Sequence, residues 1–282
     1  MQLGVTMFLT DQSFGPVDLA RSAEERGFSS LWLPEHTHIP TSRRTPSPTG
    51  EPLPEEYKRT LDPFVALAMA AAVTTHLRIG TGIALPAQRD PIITAKESAT
   101  LDHLSSGRFD LGIGFGWNID ELEDHGGSKA TRRDVARERV LTMQRLWADD
   151  VASFDGHHVH LSPSWAWPKP VQHVEGKTAV PVLLGGAAGP TLFRHIAEYG
   201  DGWIPIGGAG LTSALDDLRA ATEAAGRDPD QLRIVPFGTL PDTGKLAHYE
   251  SIGVTETVLR LPSAGRDAVL RTLDRYVEFL DR

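Results

Sequence analysis

The amino-acid sequence predicts an α/β fold, a single (β/α)8 barrel, and three observations carry that prediction. Eight short β-prone runs alternate with eight helical patterns along 282 residues, a length that suits a barrel of about 250 residues. No break in composition divides the chain, so residues 1–282 read as one domain. The unusual motifs fall at the C-terminal ends of the strands, where such barrels place their chemistry.

Residues 3–9 are apolar and β-prone. Residues 16–26 read as a helix with Pro16 at its start, apolar Val17, Leu19, Ala20 and Ala23, and Gly27 at its end. The second strand spans 30–34. Residues 35–61, rich in Pro, Thr, Arg and Glu, form a long loop of the kind that carries function. Asp62 caps a helix that starts at Pro63 and runs to Thr74. After the third strand, 77–85, Asp90 and Pro91 open a helix that reaches Ser106 and stops at Gly107. The fourth strand follows at once. Residues 131–148 are amphipathic, with Val135, Val140, Leu141, Leu146 and Trp147 on the buried side. Residues 154–172 interrupt the alternation with a dense cluster of Trp, His and Pro, and mark an irregular or hairpin insertion within about 150–178. Strands at 180–184, 202–206, 233–240 and 256–261 then alternate with helices ending at Tyr199 and spanning 212–225, 243–251 and 266–280.

The fourth strand is the most distinctive. Successive strand residues point to opposite faces, so Phe109, Leu111, Ile113 and Phe115 share one side while Asp110, Gly112, Gly114 and Gly116 share the other. The third strand repeats the pattern, with Leu77, Ile79, Thr81 and Ile83 opposed to Arg78, Gly80, Gly82 and Ala84. Paired, the two glycine faces either leave room for a flat ligand lying on backbone or relieve crowding where barrel strands bend.

Composition narrows the classes of function. Hydrophobic content of 40% and charged content of 23% suit a soluble globular protein. A formal charge of −9 argues against unassisted binding to nucleic acid or anionic membrane. There is no cysteine, which excludes disulfides, thiol nucleophiles and cysteine-bound metal. No signal peptide is visible at the start, and the longest apolar run, 64–73, is too short to span a bilayer. A cytoplasmic protein acting on a small molecule is expected.

Two constellations stand out. The run Leu-Leu-Gly-Gly-Ala-Ala-Gly, 183–189, leads from a strand into a helix and either offers backbone N–H groups to a phosphate or is a plain tight turn. Glu35-His36-Thr37-His38 contains a His-x-His pair, which amidohydrolase-type barrels use for metal. Here the pair follows the second strand, and strands five, six and eight end without His, Lys or Asp, so no metal is expected. His36 instead suits a proton donor or acceptor, with an ordinary imidazole pKa near 6.5. His157, His158 and His160 read as solvent-facing or substrate-loop residues.

Residues 101–117, Leu-Asp-His-Leu-Ser-Ser-Gly-Arg-Phe-Asp-Leu-Gly-Ile-Gly-Phe-Gly-Trp, followed by Glu121, resemble the signature of the luciferase-like flavin and deazaflavin oxidoreductases. Further matches are Trp32-Leu33-Pro34-Glu35-His36, Arg78-Ile79-Gly80-Thr81-Gly82-Ile83, Pro168-Lys169-Pro170, Pro181-Val182-Leu183-Leu184-Gly185-Gly186 and Gly200-Asp201-Gly202-Trp203, in order from about residue 3 to 203.

The resemblance implies a barrel of the bacterial-luciferase-like type binding coenzyme F420, a 5-deazaflavin, or FMN at the strand ends. Gly80, Gly82, Ile83, Gly114 and Trp117 would meet the cofactor, its phosphate lying near Gly185, Gly186 and Ala187, with a non-proline cis peptide at Gly82-Ile83 behind the ring. Glu35 and His36 ending the second strand look closest to the F420-dependent branch, an oxidoreductase moving hydride between the ring and a small organic substrate. An FMN-dependent monooxygenase is the alternative, and a non-catalytic flavin or deazaflavin binder a further one. His36, with Glu35, would handle the proton. His38, Trp117 and the insertion around Trp165 and Trp167 would wall the substrate pocket. Arg43, Arg44, Lys58 and Arg59 either meet the anionic tail of F420 or belong to a solvated loop. A homodimer is suggested by the family and by the small-residue helix at 64–73.

Overall fold

Eight strands alternate with helices as expected: β1 (Gln2–Thr6), β2 (Ser30–Leu33), β3 (Arg78–Thr81), β4 (Phe109–Ile113), β5 (Val182–Gly185), β6 (Gly202–Ile204), β7 in two pieces (Arg233–Ile234 and Phe237–Thr239) and β8 (Glu256–Arg260). The computed structural model describes residues 1–280 other than 49, 51 and 209. Two of these positions fall in the predicted 35–61 loop and lie outside the described residues, as do 281 and 282.

All strand pairs in this sheet are parallel. Their order runs from the first piece of β7 through β6, β5, β4, β3, β2, β1 and β8 to the second piece of β7. Both edges of the sheet therefore belong to one interrupted strand, and the barrel closes on itself. Pro236, which lacks an N–H, sits at the break. Its carbonyl accepts the Val258 N–H at 2.9 Å while the Phe237 N–H donates to Pro205 at 2.9 Å, so the seam is bonded on both sides.

The helices are α1 (Pro16–Glu25), α2 (Pro63–Ala71), α3 (Pro91–Leu104), α4 (Ile119–Asp124), α5 (Arg132–Ala148), α6 (Pro190–Tyr199), α7 (Leu211–Ala224), α8 (Thr243–Ser251) and α9 (Arg266–Val277). Asp62 caps α2 through the Val65 N–H, and Asp90 caps α3 through the N–H groups of Ile92 and Ile93. Each is followed by a proline whose missing donor costs nothing at that position. The short α4 was not expected. Among the described residues no helix is long and apolar enough to cross a membrane.

The strands bury two apolar layers. Leu3, Val5, Ile79, Phe109, Leu111 and Ile113 face the helices, while Trp32, Leu183, Ile204, Val235 and Val258 fill the barrel interior under Ile83 and Phe237. Of the two readings of the glycine faces, relief of crowding is the one seen at Gly80, Gly82 and Gly114. A Cβ at Gly80 would overlap the Trp32 ring, one at Gly82 the Phe237 ring and one at Gly114 the Ile83 side chain. Those glycines make room for large neighbours inside the barrel.

The barrel floor is polar. Arg78 meets Asp110 with two bonds at 2.6 and 2.9 Å, Arg233 reaches the same carboxylate at 2.7 Å and Glu256 at 3.2 Å, and Glu256 is also bonded by Ser30. Burial pushes the Asp110 carboxyl up, but Arg233 and Arg78 outweigh it and hold it below the ordinary aspartate value.

The insertion folds as two hairpins, Ala152–Asp155 with His160–Ser164 and His173–Val174 with Lys177–Thr178. Its chain between them lies at the opposite end of the barrel from the strand C-termini. Lys169 closes the end of α5 by donating to the Leu146 and Asp149 carbonyls at 2.8 and 2.6 Å, and Gln172 donates to the Phe109 carbonyl at the start of β4 at 2.6 Å. Trp165 and Trp167 are 80% and 60% exposed. The expectation that they wall the substrate pocket is therefore corrected: a connection from a helix C-terminus to a strand N-terminus belongs to the barrel's other face. Cis peptides occur at Gly82-Ile83, as expected, and at Trp167-Pro168, which was not.

Candidate active site at the strand ends

The site is built where β2, β3, β4 and β5 end. From β2 the chain passes through Pro34 to Glu35 and His36, which part company at once. Glu35 is buried, accepting the Leu85 N–H on one oxygen at 2.7 Å and Arg89 on the other at 2.9 Å. Arg89 is itself held by Glu97 at 3.2 Å and lies over the Phe64 ring. Burial raises the Glu35 carboxyl above its ordinary value although Arg89 acts the other way. With both oxygens engaged, Glu35 ties the end of β2 to the segment after the Gly82-Ile83 bulge. The expectation of a carboxylate available for proton chemistry is not what its contacts provide.

His36 turns to α4. Its Nδ1 lies 2.8 Å from Oε2 of Glu121, a carboxylate with 0% of its side chain exposed, and Oε1 of that carboxylate accepts the Thr37 N–H at 3.0 Å. With Nδ1 donating to this carboxylate, Nε2 is left for chemistry. The ring forms a triangle with Tyr57 and Trp117, its centroid 5.3 and 5.7 Å from theirs and theirs 6.1 Å apart, and Phe8 packs on Tyr57 at 4.6 Å. These rings enclose the imidazole.

His38 is placed outside that enclosure. Its side chain is 42% exposed and its Nε2 meets Asp124 at 3.0 Å. The four loop cations meet groups of the protein itself. Arg44 pairs with Asp120 and Glu123, Lys58 with Glu55, and Arg59 with Asp11 and Glu55. Arg43 lies 5.9 Å over the Trp117 ring.

Ile83 is central. Its side chain covers Gly114 of the segment after β4, and a Cβ at Gly185 of β5 would meet it at 3.0 Å. Gly80 lies deeper, against Trp32. Beyond β5, Gly186 has φ 151° and accepts the Trp203 indole N–H at 2.9 Å. Ala187 is exposed, and α6 starts at Pro190 without a side-chain cap, so unpaired backbone N–H groups face this turn.

Several residues here were not assigned a role from sequence. Asn118 is 1% exposed, yet both its amide atoms are buried without a partner, as is Oε1 of Gln88 beside Gly116. Arg132 and Arg133 occupy the first turn of α5, against the helix dipole, and each has a buried guanidinium nitrogen without an acceptor. Arg133 packs over Phe115 at 4.3 Å. A flat, hydrogen-bonding, anionic cofactor fits this set: its polar edge would satisfy Asn118 and Gln88, and its anion would answer Arg132, Arg133 and the start of α6. Of these, only the glycine turn before α6 carried a signal in the sequence. Among the described residues no three His, Asp or Glu side chains are grouped to hold a metal ion.

The fold and this rim define a luciferase-like barrel, and the comparisons agree. The pattern of the family described as luciferase-like monooxygenase matches residues 15–240, and the chain belongs to that family, a class of oxidoreductases. It is 42% identical over 279 residues to the uncharacterized protein Rv0953c of Mycobacterium tuberculosis, covering 98% of this chain and 97% of that one. It is 30% identical over 222 residues to the F420-dependent glucose-6-phosphate dehydrogenase of Amycolatopsis mediterranei, covering 75% of this chain and 60% of that enzyme. The structure of an F420-dependent secondary alcohol dehydrogenase in complex with an F420-acetone adduct shares the fold, with a TM-score of 0.75 at 20% identity over 99% of this chain and 98% of that one.

Proposed function

We propose that this protein is an F420-dependent oxidoreductase that exchanges a hydride with a small organic alcohol or carbonyl compound. The observation that carries the reading is His36 held by the buried Glu121 inside an aromatic enclosure, beside buried polar groups that lack partners. A deazaflavin would supply a ring carbon able to give or take hydride. His36 would take or give the substrate proton at Nε2, its Nδ1 held by Glu121. Tyr57, Trp117 and Phe8 would exclude water. Asn118 and Gln88 would orient the cofactor, and Arg132, Arg133 and the turn at Gly185, Gly186 and Ala187 would hold its anionic groups. Glu35 would act as a positioning residue behind Leu85. Relatives named as F420-dependent dehydrogenases support the choice of cofactor.

FMN is the second reading, because the same arginines and helix start suit its phosphate equally well. Equilibrium binding of F420 and FMN, each oxidised and reduced, decides between them. Micromolar or tighter binding of F420 with weak FMN binding is expected; preference for FMN moves the activity to monooxygenation and overturns the proposal. In the F420 reaction, His36→Ala should lower turnover by about 100-fold or more with cofactor affinity retained.

The chain would work as one domain in the cytoplasm. Val65, Met69, Ile92 and Ile93 leave an exposed apolar face on α2 and α3 that suits a second copy, and sedimentation over a range of concentrations tests it.

A further inference from the structure

A proton exchanged by His36 has to reach water, and only 8% of its side chain is exposed. From Nδ1 a line of polar atoms leads outward. Glu121 Oε2 is 2.8 Å away, and Oε1 of the same carboxylate stands 3.5 Å from Thr37 Oγ1. That hydroxyl is 2.8 Å from His125 Nε2 and 2.9 Å from His38 Nδ1, and His38 Nε2 continues to Asp124 at 3.0 Å. Exposure rises along the way, from 0% at Glu121 to 42% at His38 and 61% at Asp124. A lone histidine held by a carboxylate needs only the first of these contacts. The rest join two residues after β2 to two beyond Glu121 on α4 and its end, through one hydroxyl.

We propose that Glu121, Thr37 and His125 form a proton relay between His36 and solvent, with His38 as a parallel exit. The proposal rests on the reading of His36 as the proton-exchanging group. Outward, His36 Nδ1 gives its proton to Oε2 of the ionised Glu121, whose carboxyl group then turns to present it to Thr37. The hydroxyl takes that proton while giving its own to His125 Nε2, and His125 releases one from Nδ1 to water. The inward direction reverses each transfer. One proton moves at every step and no electrons move; Glu121 and Thr37 regain their protonation states, while His36 and His125 are left as Nε2–H tautomers, His125 resetting by exchange with water and His36 by an inward run of the same line once Nε2 has given up its proton. Thr37 is the positioning and relay residue, and it need not touch substrate or cofactor.

The test needs neither cofactor nor substrate. In 15N-labelled protein, exchange of the His36 Nδ1 proton with water is followed by NMR, the signal being assigned by its loss in His36→Gln. Thr37→Val keeps the backbone N–H bond to Glu121 but removes the hydroxyl, and should slow exchange by about tenfold or more, while Thr37→Ser exchanges at nearly the original rate. The double variant His38→Gln/His125→Gln, at two exposed positions, should slow it as well, and serves if Thr37→Val does not fold. Unchanged exchange in Thr37→Val or, failing that, in the double variant overturns the relay. Equal slowing in Thr37→Val and Thr37→Ser overturns it too, since that marks the loop's structure and not its hydroxyl. The reading of His36 stands or falls separately, on the turnover of His36→Ala.

Discussion

Glu35 and His36 show how far neighbouring residues diverge once each side chain finds its partner. Glu35 is buried between the Leu85 N–H and Arg89, and His36 is set against Glu121. The substitution that separates their roles is Glu35→Gln. An amide still accepts the Leu85 N–H but turns its NH2 toward Arg89, while burial already raises this carboxyl above its ordinary value, so the variant should cost about 1–3 kcal/mol in urea unfolding. Turnover should fall much less than in His36→Ala. A raised acid pKa means that the folded protein holds its proton where the unfolded chain has lost it. Stability from this group therefore falls as pH rises from the ordinary glutamate range through the folded value, and Glu35→Gln lacks that slope. A loss of turnover as large as that of His36→Ala would place Glu35 in the proton chemistry.

The helices were legible where a capping residue and a proline announce them, as Asp62-Pro63 and Asp90-Pro91 do. α4 was not, because six residues are too few to show a periodicity. Its function lies in its charges, for every acid on it meets the loop after β2: Asp120 takes Ser42 and Arg44, Glu121 takes His36 and Thr37, Glu123 takes Arg44 and Asp124 takes His38. Such long-range pairing leaves no mark in a sequence, so Glu121 shows there only as part of a pattern and Tyr57 not at all. Arg108 is a second example. It closes α2 by donating to the carbonyls of Ala71 and Thr74, and also to Leu77, Ser105 and the Thr74 hydroxyl. Arg108→Ala leaves those acceptors at a partly buried helix end and should cost about 2–4 kcal/mol in urea unfolding; Arg108→Lys, without the planar fork, should recover little of it. Wild-type stability in Arg108→Ala would mean that water replaces the guanidinium there.

At the scale of the whole molecule the alternation of strands and helices already contained the barrel, and even the site of the insertion. A segment joining a helix end to a strand start belongs at the floor, and only its Trp and His content drew it toward the site. What alternation did not contain is the content of the interior, because the glycines of β3 and β4 suit a ligand's space as well as crowded neighbours until Trp32 and Phe237 are seen to fill it. The polar floor beneath them was equally hidden: Arg78, Asp110, Arg233 and Glu256 come from four strands, and their two positive and two negative charges balance only when the barrel is closed. Closure and charge balance are therefore coupled. Asp110→Asn keeps the shape but leaves the two arginines facing one carboxylate, which should cost about 3–5 kcal/mol at neutral pH. The arginines hold the Asp110 pKa below its ordinary value, so the stability it contributes is complete above the unfolded aspartate pKa and is lost as pH falls through the folded one. The gap between parent and Asp110→Asn should accordingly be constant from pH 7 to about 5 and narrow below about 4 in urea unfolding. A gap that stays constant into acid would show that the floor is held by shape and hydrogen bonds alone, without the charge on Asp110.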